Sequence, residues 1–226
     1  MGARHEKLVG QHGLVQLSKA HVVIFGIGGV GGYVAEALAR TFVGKLTLVD
    51  CDDVDESNLN RQIVALTSTI GMPKVEVMKA RVLDINPNCD VTAKKVFIDA
   101  DNAASLIEGA TYAVDAVDNV TAKLAIITAC QAANIPAISA MGAGNKLAGD
   151  FKVSDISKTS GDALARVMRR ELRRRGIDHQ KVVCTDSKAM LQIEKGEAMP
   201  SISYMPGLCG LVIAGEVVRD IIKERP

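Results

Sequence analysis

A glycine-rich turn between an apolar strand and a helix constrains the fold of this chain more than any other feature. Residues 21–25 form a run rich in β-branched side chains, and residues 30–40 carry apolar side chains at helical spacing. Between these segments lie four glycines, Gly26, Gly28, Gly29 and Gly31. Glycine allows a sharp turn and a close approach of the backbone to a ligand, and the helix that follows directs free N–H groups at a phosphate. This order of elements predicts a nucleotide-binding α/β fold.

Alternating strand and helix patterns predict a Rossmann-like, doubly wound and mostly parallel sheet with helices on both faces. Further strands are predicted at 46–49, 111–117 and 135–141, and further helices at 74–84 and 120–133. Beyond residue 146 the pattern loosens to an edge strand at 151–156 and a closing helix at 207–223. The inward face of the closing helix is predicted to be Leu211, Ala214, Val218 and Ile222. We expect residues 1–226 to form one domain.

An acidic residue and two cations behind the glycine turn bear on which nucleotide is bound. Asp50 ends the second strand, at the distance from Gly26 where an acid binds ribose hydroxyls. Arg61 follows this strand, and Lys74 begins a helix directly after Pro73. A triphosphate with Mg²⁺ carries more charge than a dinucleotide and requires such cations. The pattern therefore favours ATP over NAD, while two solvated surface cations are the simpler alternative for Arg61 and Lys74.

Asp118 follows the predicted strand 111–117, at the edge of the sheet where open α/β folds bind ligands. A carboxylate at this position is suited to Mg²⁺, which prefers carboxylate and phosphate oxygens. The same position equally suits a cap for the helix that follows, a role for which Asp and Asn are both favoured. Spacing alone leaves the two interpretations open.

Taken together, these motifs resemble the adenylating enzymes related to ubiquitin-activating enzyme, the superfamily of the MoeB, ThiF and HesA proteins. The resemblance rests on the glycine turn, Asp50, "SNLNRQ", "GMPKVEVMKARVLDINP" and "DAVDN". Within the superfamily the chain is most similar to the tRNA threonylcarbamoyladenosine dehydratase branch, through "GKLTLVDCDDVDESNLNRQ" and "DISKTSGDALARVMRREL". We therefore expect a fold of the ThiF and MoeB type, with residues 146–200 forming a crossover region that faces the substrate.

The resemblance also implies a role for individual residues. Asp50 would bind the ATP ribose, Asp118 would bind Mg²⁺, and the phosphates would be held by Asn58, Arg61 and Lys74. The implied ATP site also includes Gln62 and Asn119. Arg4 would reach in trans into the ATP site of a partner subunit, which implies a homodimer. A frayed N-terminal arginine is the alternative for Arg4.

The implied chemistry is attack of a substrate carboxylate on the α-phosphorus of MgATP, which releases pyrophosphate and forms an acyl-adenylate. A carboxylate is ionised at neutral pH, so this step needs no general base. In the dehydratase branch the carboxylate belongs to the threonylcarbamoyl group of a tRNA adenosine, which then cyclises with loss of water. One alternative substrate is the C-terminal glycine of a small sulfur-carrier protein. A second alternative, an NAD-dependent oxidoreductase or a nucleotide sensor, is disfavoured by Arg61, Gln62 and Lys74.

The five cysteines exclude some variants of this chemistry. They form no Cys-x-x-Cys pair, so we expect no structural zinc of the usual spacing. Cys184 is the one candidate for a thioester carrier, with a buried strand cysteine as the alternative. The scattered cysteines and the lack of a signal peptide favour a cytoplasmic protein. Residues 198–215 carry no charge but contain Pro200 and Pro206, and no membrane span is predicted.

Residues 163–176 predict a basic amphipathic helix with six arginines and one glutamate. Its apolar face is predicted to be Leu164, Val167, Met168 and Leu172. The whole chain is balanced, with 27 basic and 26 acidic residues, so the cluster stands out locally. Arginines bind a phosphate backbone well, which makes tRNA the expected partner of Arg166, Arg169, Arg170, Arg173 and Arg174. An acidic protein, a membrane surface and an ordinary solvated face are the alternatives.

Overall fold

A seven-stranded, mostly parallel sheet forms the centre of the computed structural model, which describes residues 3–194 and 197–223. The strands are β1 (His21–Phe25), β2 (Lys45–Val49), β3 (Asp90–Lys94), β4 (Tyr112–Asp115), β5 (Ala137–Ala140), β6 (Lys152–Asp155) and β7 (Lys181–Cys184). Their order is β3-β2-β1-β4-β5-β7-β6, and only the edge strand β6 pairs antiparallel. The order reverses between β1 and β4, so a crevice forms at their carboxyl ends. The predicted doubly wound sheet is confirmed.

Seven α-helices surround the sheet within the described residues: α1 (Ala3–Lys19), α2 (Gly31–Arg40), α3 (Lys74–Ile85), α4 (Ala103–Leu106), α5 (Val120–Ala133), α6 (Ala163–Arg173) and α7 (Tyr204–Ile222). Short 3₁₀ turns occur at 56–58, 67–69 and 156–158. A search of the described part of the chain found no helix with the length and apolar character needed to cross a membrane.

Side chains of β1 alternate between two apolar layers. Val22 and Ile24 belong to a cluster that includes buried residues of α2, α3 and α7. Val23 and Phe25 belong to a second cluster with α4 and α5, and α6 covers the same face further along the sheet. This period of two places helices on both faces and leaves the strand ends accessible to ligands.

The closing helix α7 departs from its predicted packing. Leu211, predicted to face inward, is 49% exposed. The buried positions are instead Cys209, Ile213 and Val217, together with Ala214 and Ile222 as predicted. The prediction was wrong at Leu211 because α7 packs against α1, α2 and the sheet at once, which rotates its buried face.

Residues 146–200 contribute more regular structure than a crossover loop. They contain β6 and β7, which complete the sheet, and the helix α6 between them, while residues 185–194 and 197–200 beyond β7 have no helix or strand. The predicted edge strand is confirmed as β6. The sequence patterns did not predict α1 or β3, because α1 is interrupted at Gly10 and β3 is short and polar.

Candidate functional site

The glycine turn joins β1 to α2 at the crevice between β1 and β4. Gly26 has a φ of +84°, a left-handed conformation that favours glycine. A Cβ atom on Gly31 would lie 1.8 Å from the carbonyl oxygen of Gly26, so no other residue fits there. The backbone N–H groups of residues 28–31 find no acceptor among the described residues. Four free donors at a helix start form a site for an anion.

Asp50 holds this turn against the end of β2. Its Oδ2 accepts a hydrogen bond of 2.6 Å from the backbone N–H of Ile27, and its Oδ1 accepts one of 2.9 Å from that of Asp52. Burial raises the pKa of the Asp50 carboxyl, and these two bonds oppose the shift. Each oxygen retains a second lone pair, so the carboxylate can orient the turn and also accept from a ribose hydroxyl.

Lys74 is buried, with 5% of its surface exposed, and is not a solvated surface cation. It begins α3, and its backbone N–H donates to the carbonyl of Asp52 over 3.1 Å. Its Nζ donates to Oδ2 of Asp52 over 2.8 Å. This bond lowers the pKa of the Asp52 carboxyl, so Asp52 is ionised at neutral pH. The ammonium is thereby fixed beside Asp52, just beyond the end of β2.

Arg61 and Gln62 border the glycine turn from the other side. The side-chain stem of Arg61 lies 3.6 Å from a Cβ built on Gly29, and its guanidinium donates to the Ser57 carbonyl and to Asn60. The amide of Gln62 lies within 4.0 Å of a Cβ built on Gly28. Oε1 of Gln62 is buried with no donor among the described residues. An orphaned acceptor beside the turn indicates that a ligand or its hydration shell supplies a donor.

Asn58 and Asn119 have structural roles that the sequence did not assign. Oδ1 of Asn58 accepts from the backbone N–H of Asp55 and closes a 3₁₀ turn. Oδ1 of Asn119 caps α5 by accepting from the backbone N–H of Ala122 over 3.0 Å. The Nδ2 donor of Asn119 makes no hydrogen bond to the described residues and is left for a nucleotide.

Asp118 is exposed, and its carboxylate makes no hydrogen bond to the described residues. Because Asn119 caps α5, the alternative interpretation of Asp118 as the cap of this helix is wrong. The structure gathers Asp50, Cys51 and Asp52 as a group within ligand distance of one another, and Asp118 stands apart from them. A single carboxylate suits Mg²⁺, whose remaining ligands come from phosphates and water. Mg²⁺ at Asp118 stays a prediction.

Arg4 lies far from the glycine turn of its own chain. The neighbouring His5 stacks on Phe42, with ring centroids 5.9 Å apart. Phe42 lies two residues beyond the end of α2, whereas the glycine turn precedes its start, so the length of α2, about 15 Å, separates them. Arg4 is exposed at this far end. It is therefore not placed to serve its own ATP site.

The basic helix α6 is confirmed, and its arginines differ in their partners. Met168 and Leu172 are buried as predicted, with Leu164 and Val167 half-buried. Nη1 of Arg169 donates to the carbonyl and the hydroxyl of Thr159, both over 2.7 Å. Glu171 pairs with three further arginines, Arg170, Arg174 and Arg175. Within the described ranges Arg166 and Arg173 have no such partner, so the charge available to an anion is smaller than the sequence suggests.

Cys184 is the last residue of β7 and is fully buried. Burial raises the pKa of its thiol, which disfavours the thiolate that a thioester carrier needs. The structure thus supports the buried strand cysteine over the thioester. Cys51 is exposed and the other cysteines are buried.

A buried ion pair beneath the crevice was not predicted. Nζ of Lys123 lies 3.1 and 3.0 Å from the two oxygens of Asp115 and 2.7 Å from the carbonyl of Ala140. Both side chains are fully buried. The pair ties α5 to the ends of β4 and β5. The sequence carries a signal for it, because Lys123 interrupts the otherwise apolar start of α5.

A cavity of about 580 Å³ opens at the opposite edge of the sheet, where the strands begin. Its wall includes the Tyr112 hydroxyl, which donates to Asp220 over 2.6 Å, and Lys181, which pairs with Asp220. This network joins α7 to β4 and β7. It lies at the other ends of the strands from the glycine turn, Lys74 and Asp118, so we place the chemistry at the crevice despite the size of this cavity.

Comparison with known proteins agrees with this geometry. The ThiF family model matches residues 3–226. The tRNA threonylcarbamoyladenosine dehydratase of Bacillus subtilis (strain 168) is 40% identical over 98% of this chain and 94% of its own length. The molybdopterin-synthase adenylyltransferase of Salmonella typhimurium is 37% identical, but over only 61% of this chain and 54% of that protein.

Solved structures give the same picture. The Escherichia coli tRNA N6-threonylcarbamoyladenosine dehydratase in complex with ATP superposes with a TM-score of 0.91 at 33% identity, covering 98% of this chain and 93% of that one. The same enzyme in complex with AMP gives a TM-score of 0.90 at 34% identity, over 96% and 92% of the two chains. The similarity to the dehydratases therefore spans nearly both whole chains.

Proposed function

Because the chain belongs to the ThiF family, we propose that it is a tRNA threonylcarbamoyladenosine dehydratase that uses ATP to activate a carboxylate. The observation that carries the proposal is the juxtaposition of the glycine turn with buried Lys74. Four free N–H groups and a fixed ammonium suit the phosphates of ATP. The crystallised relative of this fold was obtained with both ATP and AMP, which are the nucleotide consumed in adenylation and the nucleotide released when the acyl-adenylate reacts.

The proposed reaction uses positioning and charge rather than acid–base catalysis. The glycine turn holds the phosphates, Asp50 orients the ribose, and Arg61 and Lys74 stabilise the charge that develops as pyrophosphate leaves. Mg²⁺ bound through Asp118 would neutralise phosphate oxygens. The activated carbonyl is then attacked by an atom of the same modification, which closes a ring, expels AMP and releases one proton to solvent. The net change in the nucleoside is the loss of one water.

A homodimer is part of the proposal, since Arg4 lies at the far end of α2 from its own glycine turn. An arginine in that position can contribute to an ATP site only in a partner subunit. The tRNA would be bound partly by α6, where Arg166 and Arg173 are available to phosphates and Arg170 and Arg174 share one glutamate. Arg169 is held by Thr159 and is the weakest candidate of the five.

Activation of a sulfur-carrier protein is the second candidate function. The extent of similarity favours the dehydratase, because the adenylyltransferase match covers much less of both chains. The absence of a structural zinc and a cytoplasmic location remain predictions.

The decisive experiment incubates the protein with ATP, Mg²⁺ and tRNA that carries threonylcarbamoyladenosine. Mass spectrometry of the digested tRNA should show the modified nucleoside lighter by one water, with one AMP formed per event. Arg61→Ala should abolish both this change and ATP–pyrophosphate exchange, because the cation beside Gly29 is lost.

Circular dichroism of Arg61→Ala should match that of the wild type, since Arg61 is only half-buried. A wild-type protein that leaves the tRNA mass unchanged, yet releases pyrophosphate with a sulfur-carrier protein, would establish the second candidate instead.

A further inference from the structure

A buried lysine at the end of β5 has no counter-charge in the described structure. Lys146 is 9% exposed, and its Nζ donates to the carbonyl of Gly142 over 3.1 Å. No ion pair involves Lys146 within residues 3–194 and 197–223. An ammonium offers three donors, and a buried one is costly unless its charge is compensated. By contrast, the other deeply buried lysines, Lys74 and Lys123, are both paired with aspartate.

The carboxylate that contacts Gly142 already has partners elsewhere. Asp162 accepts from the Gly142 backbone N–H over 2.7 Å through Oδ2 and caps α6 through Oδ1. Gly142 is thus fixed by Asp162 on one side and accepts from Lys146 on the other. This arrangement holds the ammonium at the carboxyl end of β5 without neutralising it.

Asn145 precedes Lys146 in the loop that follows β5, and its backbone has an unusual conformation. Its φ is +57°, in the left-handed region that non-glycine residues rarely adopt. Its backbone N–H donates to Pro200 and its carbonyl accepts from Met190, while its side chain bonds both backbone groups of Leu191. These four bonds tie Met190, Leu191 and Pro200 to Asn145 and fix the backbone next to Lys146.

The position of Lys146 relates it to the ATP site. The carboxyl ends of β1 and β5 are separated by β4 alone, a span of roughly 10 Å. Helix α7 bridges the two, because Pro206 contacts the glycine turn and the hydroxyl of Tyr204, the first residue of α7, donates to the carbonyl of Leu147 over 2.6 Å. An anion that approaches the α-phosphate from the side of β5 would therefore meet this ammonium.

We propose that Lys146 binds the carboxylate of the substrate and holds it for attack on the α-phosphorus, with Asn145 positioning the loop. This inference rests on the proposed function and adds the residue that receives the acyl end of the substrate. No bond to Lys146 forms or breaks in the reaction; the ammonium supplies hydrogen bonds and charge to a carboxylate oxygen.

The test measures binding of the nucleoside threonylcarbamoyladenosine and of its neutral methyl ester, in the presence of Mg²⁺ and α,β-methylene-ATP. The wild type should bind the acid roughly 10- to 100-fold more tightly than the ester. The Lys146→Met variant should bind the acid and the ester equally weakly, because the substitution and the esterification each remove the same ammonium–carboxylate interaction. Lys146→Arg, which keeps the charge, should recover part of the preference. In turnover assays Lys146→Met should raise the KM for modified tRNA and leave the KM for ATP unchanged.

Thermal denaturation separates this role from a structural one. Lys146→Met should unfold at the same temperature as the wild type or higher, because it removes a buried charge without a partner. If Lys146→Met unfolds at a lower temperature and keeps the wild-type KM for tRNA, Lys146 is structural and the proposal is overturned. Equal binding of acid and ester by a wild type that dehydrates tRNA overturns it as well. A wild type that does not dehydrate modified tRNA overturns both this inference and the proposed function.

Discussion

Lys74 and Arg61 carry the same charge, but they differ in burial and in hydrogen-bond partners. Lys74 is buried and held by Asp52 at the first turn of a helix, so its position is fixed before a nucleotide arrives. Arg61 is half-buried and is oriented by the carbonyl of Ser57 and by Asn60. A phosphate can compete with Asp52 for Lys74, whereas Arg61 keeps free donors for it. Burial therefore determines how firmly each cation is held and how many donors it has free.

Cys184 gives a direct test of whether a thioester takes part. Cys184→Ala should leave the rate of tRNA dehydration unchanged, because the thiol is buried in β7 and its raised pKa disfavours the thiolate. The free energy of unfolding should fall by about 1 kcal/mol, as expected for a small cavity in a strand. Urea denaturation and the nucleoside mass assay measure the two effects. Complete loss of dehydration in a folded variant would restore the thioester route.

The contact between α2 and α7 is the element on which the shape of the ATP site depends. A Cβ on Gly210 would lie 2.4 Å from the carbonyl oxygen of Val30 and 3.0 Å from Cβ of Tyr33. The absence of a side chain at Gly210 therefore lets α7 approach the start of α2, where the free N–H groups of the glycine turn lie. The distance between these helices is set by a residue that lies at their contact and outside the glycine turn.

Gly210→Ala should weaken ATP binding and lower the free energy of unfolding by about 1–3 kcal/mol, because the added methyl group forces the helices apart. The matched control is Gly215→Ala on the same helix, where the nearest atom to the new Cβ is Nη1 of Arg219 at 3.9 Å. This control should gain about 0.5–1 kcal/mol from helix propensity and bind ATP normally. Calorimetric titration with ATP and thermal denaturation provide the measurements. Equal effects of the two substitutions would show that close helix packing does not shape the site.

The predicted site residues are divided between the two ends of the parallel strands. The glycine turn, Lys74, Asp118 and Lys146 lie at the carboxyl ends of the strands. Arg4 and the 580 Å³ cavity lie towards the amino ends. A residue at the amino ends cannot reach a ligand bound at the carboxyl ends of the same chain. If Arg4 is catalytic, the active unit must contain two chains.

Mixing two inactive variants tests this arrangement. Arg4→Ala and Lys74→Met should each abolish dehydration, and each should retain a dimeric mass in analytical ultracentrifugation. After subunit exchange, half of the dimers would be mixed and would contain one intact site of two, which restores about a quarter of wild-type activity. The control replaces the first variant with the double variant Arg4→Ala/Lys74→Met, which leaves no intact site. Full activity of Arg4→Ala alone, or no recovery on mixing, would refute the assignment in trans.

Local pattern by itself determined the doubly wound sheet, the glycine turn and most helix positions, and it singled out Asp50, Arg61 and Lys74 as predicted site residues. These features are encoded in short spacings, because periodicity and glycine geometry depend only on neighbours in the chain. They also sufficed to favour ATP over NAD.

Only the tertiary structure decided how each side chain is used. It paired Lys74 with Asp52, gave the capping role to Asn119 rather than Asp118, buried Cys184 and exposed Leu211. It also revealed the Asp115–Lys123 pair and the burial of Lys146 with no ion pair among the described residues. Burial and partnership arise between segments that are distant in sequence, so a pattern of neighbouring residues carries no measure of them.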